Sequence, residues 1–268
     1  MSVLSQLRNH LRQSVATYIV IIICMVVIGA LQLPQLENLR NRSQNLSPQA
    51  LKKEVESEKL RLNLLKKMPA FGFDNLLADW VFLGFLQYFG DDDAREFTGY
   101  QIAPDYFEIV LDRDPRFRDA YYFLSTSSSL YAGLPERSVA LMNQGLKSLS
   151  PQVPFKSYYI WRYKGIDELL FLGDGQAAKK SFEMSAEWAS IYADPESQTA
   201  VVLSRKTADF LAKNPKSKSA QVSAWAMVLT NTKDQRTRQI AISRIEAIGG
   251  KVLITPEGAV RIQSPPKD

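Results

Sequence analysis

Three places in the sequence carry residue types that could do chemistry. The first is acidic: Asp91, Asp92 and Asp93 follow directly on "DNLLADWVFLGFLQYFG", residues 74–90, which itself holds Asp74 and Asp79. Carboxylates are the ligands divalent cations prefer, yet three consecutive residues on a short loop do not converge on one ion, and the spacing is not that of a calcium loop. A solvated turn or helix cap is expected of them, and an N-cap role of Asp74. Asp79 falls mid-helix beside Trp80 and is expected to pair with a cation such as Arg95 or Arg113.

The second place is Gly173, Gly175 and Ala178, which satisfy G-x-G-x-x-A, with Asp194 about 20 residues on, where a ribose-binding acid would lie. That fingerprint needs a preceding strand. "YKGIDELLFLG" has helical character instead, so a turn between helices is expected. The third is "KSYYIWRYKG", residues 156–165, where basic and aromatic groups alternate. Such a stretch could stack on single-stranded nucleic acid, but Tyr, Trp and Arg equally anchor protein interfaces or fill a core.

What is missing narrows the chemistry further. The only histidine, His10, lies in the N-terminal tail, and the only cysteine, Cys24, in an apolar run. Imidazole catalysis, a Ser–His–Asp set, disulfides and cysteine–zinc sites are thereby excluded from the rest of the chain. No lysine-containing phosphate loop is present. A protein without enzymatic activity, cofactor or metal is expected.

The elements that must position these residues are helical. With 268 residues, 46% apolar and 23% charged, the chain has a globular balance and room for one medium domain plus extras. Its +5 net charge is unevenly spread: residues 37–67 carry eight basic and four acidic groups, residues 71–114 two basic and ten acidic. Residues 1–13 read as a tail, and 14–33, "SVATYIVIIICMVVIGALQL", as an uncharged run. About 20 helical residues can cross a hydrocarbon core of roughly 30 Å, so a retained transmembrane anchor is expected, with a cleaved signal peptide as the competing reading. Residues 34–70 read as a linker and a stalk helix, with Ser47 as N-cap and Pro48 at its first position. Residues 251–268 alternate around Thr255 to Gly258 and read as a small hairpin and tail.

Between these ends, helices recur with small and bulky residues at matching places: Ala103, Phe107, Val110 before Pro115; Ser138, Met142, Gly145 before Pro151; Ala178, Phe182, Ser185 before Pro195. Trp80, Leu83 and Gly84 match a Trp-x2-Leu-Gly opening; Trp161 and Gly165 keep part of it. The pattern resembles the tetratricopeptide repeat over residues 71–195, with 196–250 as a worn repeat and capping helices. "DNLLADWVFLGFLQYFG" would then be a repeat's first helix, apolar because neighbours cover it.

The resemblance implies an all-α solenoid behind a transmembrane helix, like single-pass bacterial members of that family, cyanobacterial ones among them. It implies a scaffold that assembles or localises a complex at a plasma or thylakoid membrane, with its domain leaning to the non-cytoplasmic side. The alternative is a permanent subunit of a larger membrane complex. The expected partners are a protein, held in the concave groove by Tyr122, Phe123, Tyr159, Arg162 and Tyr163, and the membrane through residues 14–33; neither nucleic acid nor a small-molecule substrate is expected.

Overall fold

Prolines open many of the helices. Pro lacks the N–H that a first turn leaves unpaired anyway, so it suits that position, and Pro48, Pro135 and Pro195 each begin a helix. The computed structural model describes residues 18–19, 21–30, 32–33, 47–213, 216, 218–232, 235–254, 260–263 and 265. The chain divides into two units, Met1–Ser47 and Pro48–Asp268.

In the first unit, residues 21–30 are helical with exposed side chains. Among the described residues no helix is long and apolar enough to cross a membrane. The expected span at 14–33 is therefore not sustained: a crossing needs about 20 apolar helical residues in one run, and no described helix supplies that; residues 14–17, 20 and 31 lie outside the described residues. The membrane anchor, the membrane as a partner and the single-pass localisation fall with it. His10, the linker at 34–46 and the turn at Thr255 to Gly258 also lie outside the described residues.

The second unit runs α1 (Pro48–Lys67), α2 (Asp74–Phe89), α3 (Asp92–Thr98), α4 (Ala103–Arg113), α5 (Arg118–Leu124), α6 (Pro135–Leu146), α7 (Tyr158–Ile166), α8 (Gly175–Ala189), α9 (Pro195–Lys213), α10 (Lys218–Asn231) and α11 (Gln235–Ala247). A hairpin closes it: β1 (Lys251–Ile254) pairs antiparallel with β2 (Val260–Gln263), Lys251 opposite Gln263. An all-α fold with a small C-terminal hairpin is thus correct.

The largest core is aromatic. Phe85 of α2 meets Phe107 of α4 at 4.5 Å between ring centres, and Phe82 meets Phe117 at 4.7 Å. Glycine lets the helices close up where they cross: a Cβ on Gly165 of α7 would meet the Phe182 ring of α8 at 3.1 Å, and one on Gly145 of α6 would sit 1.9 Å from the Tyr121 hydroxyl. A second core joins Phe171 to Val222, Trp225 and Val228 of α10 and Ile245 of α11, with Val252 and Ile262 of the hairpin against it. It is sewn to the first part of the domain by Gln101, whose Nε2 donates to Ala132 O (2.9 Å) and Thr237 Oγ1 (3.2 Å). Beside that seam Gly133 takes φ +65° under Ile240 and Trp225.

Two helices widen before they end. α5 runs on into a π-helical turn at Ser125–Tyr131, and α7 into another at Asp167–Leu172. The fully buried Asp167 joins the two: its carboxylate accepts from Ser125 and Ser129 of the first turn and from Ser138 of α6, each at 2.7 Å. Next to it, Lys164 and Glu168 form a buried ion pair at 2.5 Å, and Ser181 of α8 donates to Glu168 at 2.6 Å.

Candidate functional site

The surface that packing leaves unexplained is the helical hairpin of α1 and α2. α1 stops because Pro69 cannot continue it. The chain turns through Ala70–Phe73, where Phe73 N donates to Ala70 O at 2.8 Å, with Phe71 at φ +50° and Gly72 at φ +88°. Arg113 of α4 staples the turn from below: Nη1 donates to Asp74 at 2.9 Å and Nη2 to Met68 O at 2.6 Å. Asp74 is therefore the first residue of α2 and an ion-pair partner, not its N-cap.

α2 carries large apolar residues on both its buried and its exposed side. Leu77, Ala78, Val81, Phe85 and Tyr88 face the core, and Leu76, Trp80 and Leu83 face away from it. With Leu60, Leu64 and Met68 of α1 and its end, and with Phe71 and Phe73 of the turn, they form one exposed face. Phe71 is 85% exposed and Leu64 72%. Together these side chains leave on the order of 1,000 Å² of largely apolar surface to solvent, against the few hundred Å² of the largest patch on an ordinary monomer. Two shallow depressions lie in it. One, of about 400 Å³, runs from Met68 through Phe71 and Phe73 to Trp80. The other, of about 460 Å³, is lined by Arg61, Leu64, Leu65, Lys67 and Met68.

Polar groups hold this face in shape. The Arg61 guanidinium lies over the Trp80 ring, 5.5 Å from its centre, and donates through Nε to Glu58 at 2.8 Å. Glu58 also accepts from the Tyr106 hydroxyl of α4 at 2.5 Å. Burial would raise the Glu58 carboxyl, but the hydrogen bonds from Arg61 and Tyr106 outweigh it and hold the group below its usual range. Asp79 is exposed, and no described residue pairs with it. The expected Arg95 or Arg113 partner is engaged elsewhere: Arg113 on the turn, Arg95 buried with its guanidinium 3.9 Å from the Tyr88 ring centre.

Phe71 is a bulky residue in the left-handed region, a conformation that costs a non-glycine residue about 1 kcal/mol or more. Its side chain gains no burial in return. Phe71→Gly should leave stability unchanged or raise it by up to about 1 kcal/mol, because relief of the left-handed penalty offsets the extra freedom of the unfolded chain. Urea denaturation would check this; a loss above 1 kcal/mol would mean that the ring is packed.

The residues expected to bind a partner are only partly brought together. Tyr122 of α5 meets Tyr163 of α7 at 5.8 Å, and Tyr163 stacks with Tyr159 at 6.1 Å, so these three form a row. Tyr159 is tied down by its hydroxyl, which donates to Glu196 at 2.5 Å, and burial with that bond pushes its pKa up. Phe123 belongs to the core, 5.5 Å from Phe82. Arg162 turns to α9 and donates to Ser204 at 3.0 Å. The acids behave as turn groups: Asp91 caps α3, accepting from Ala94 N at 3.2 Å, and among the described residues no cluster could hold a metal ion. Gly173 ends the second π turn in the left-handed region and Asp174 caps α8, so the glycine motif is a turn between helices.

No protein family matches the chain, and neither does any curated protein or solved structure. The tetratricopeptide resemblance is thus overturned, and with it the membrane-anchored bacterial type, the repeat solenoid and the scaffold or subunit of a membrane complex drawn from it. The geometry gives a reason. Trp80 and Leu83, on which the match to a repeat's covered first helix rested, are 52% and 58% exposed.

Proposed function

We propose that the domain is a non-catalytic protein-docking module whose binding face is α1, the 68–73 turn and α2. The observation that carries this is the area of that face, which is enough to fill one side of a standard protein interface of ~800 Å² per partner. Its make-up supports the same reading. Trp80 and the two phenylalanines are rigid anchors of the kind that dominate binding energy. Arg113 and Arg61 hold the turn and Trp80 in place before any partner arrives, which lowers the ordering cost of binding. Asp79 within the apolar face favours a protein over a lipid surface, since a carboxylate is expensive against hydrocarbon and easily paired by a protein cation. The Tyr122, Tyr163 and Tyr159 row is a second surface suited to a protein, with less apolar area free.

A photo-cross-linking residue in place of Phe71, in the full chain inside cells, tests the reading. Discrete protein adducts are expected, and they should vanish when Trp80→Ser and Leu76→Ser are added. Adducts with lipid alone, or none, would overturn it.

A further inference from the structure

We propose that the occupant of this face is the same face of a second copy of the chain, related to it by a two-fold axis. The proposal rests on the docking reading and adds to it the identity of the partner. The face carries both halves of a complementary pair. Phe71 and Phe73 protrude at the turn, and beside them lies the hollow lined by Arg61, Leu64, Leu65, Lys67 and Met68.

Charge is divided in the same way. α2 presents Asp79, and α1 presents Lys67; both are exposed, and neither has an ion-pair partner among the described residues. The other cations near the turn are engaged, Lys66 with Glu108 at 2.5 Å and Arg61 with Glu58. In a two-fold pair residue i meets j and j meets i, so every complementary contact forms twice. Each aromatic turn would enter the partner copy's hollow, and each Asp79 would reach the partner copy's Lys67. Two faces of on the order of 1,000 Å² bring the pair to about the 1,600 Å² or more that a stable complex buries.

Cross-linking between marked chains tests it. In full-length protein carrying Cys24→Ser, which removes the only native cysteine, one preparation carries Lys67→Cys and another Asp79→Cys. Treated with a short bis-maleimide, the mixture should give a covalent dimer several-fold above either preparation alone. Phe71→Ser in both chains should abolish that excess, and Phe71 is exposed, so the change leaves the fold intact. A mixture that cross-links no better than its components overturns the second copy as occupant. The photo-cross-link at position 71 separates the two failures. Adducts with a different protein leave the docking reading standing without self-association, and lipid-only or absent adducts remove both.

Discussion

Lys164→Met should cost the domain about 3–5 kcal/mol, the usual penalty for leaving one member of a buried ion pair alone. Lys164 and Glu168 are 8% and 4% exposed at their side chains, so water cannot take the place of the lost ammonium. Among the described residues the only other side chain hydrogen-bonded to the Glu168 carboxylate is Ser181, and one hydroxyl does not balance a buried charge. Lys164→Met/Glu168→Met should recover most of the loss, because an apolar pair of similar volume removes both desolvation costs together. Urea denaturation of the two single variants and the double gives the coupling directly. If the double variant is as unstable as the sum of the singles, the two buried charges are not coupled.

The second large effect depends on pH and belongs to Asp167. Burial pushes its carboxyl up from the ordinary 3.8 to about 6; the hydrogen bonds from Ser129, Ser138 and Ser125 offset this only in part, and the neighbouring Glu168 adds to it. From the first π turn and from α6 the carboxylate is faced by serines alone, and on its own helix the nearest cation, Lys164, is held by Glu168. Because the folded-state pKa lies above the unfolded one, the group's contribution is fully present below about pH 4 and is lost as the pH rises through about 6. The loss is up to about 3 kcal/mol. Asp167→Asn cannot ionise, so from pH 4 to pH 8 the stability difference should move by about 2–3 kcal/mol in the variant's favour. Denaturation curves of both proteins at the two pH values check this. A difference that stays constant would show that Asp167 keeps an ordinary pKa in the folded chain.

The helical body and the hairpin were legible because they rest on local signals. Pro48 starts α1 where the spacing places it, and Val252 and Ile262 keep the alternation that marks two strands. The small residues at helix crossings were legible too, since Gly145 and Gly165 leave room that only a neighbouring ring fills. The exposed apolar face was not read, although its signal is present. α2 carries more apolar residues than one buried stripe needs, and the surplus, Leu76, Trp80 and Leu83, was assigned to cover by other helices. That assignment depends on which elements become neighbours, and α4 covers one side of α2 only. Phe71 gave no warning either, because nothing local marks a phenylalanine for the left-handed region; Arg113, 42 positions later in the chain, holds the turn that puts it there. Nothing local marks Asp167 and Glu168 for burial, which follows from serines on three other stretches.

The tie between Gln101 and Thr237 sets an order of events during synthesis. At ~5–20 residues per second, roughly 7–27 s of translation separate the emergence of these two residues. Until α11 is made, the Gln101 amide lacks Thr237, and Gly133 and Phe171, once made, lack the α10 and α11 surfaces that later cover them. A nascent chain halted before α11 would show a folding chaperone an apolar strip that the finished protein conceals.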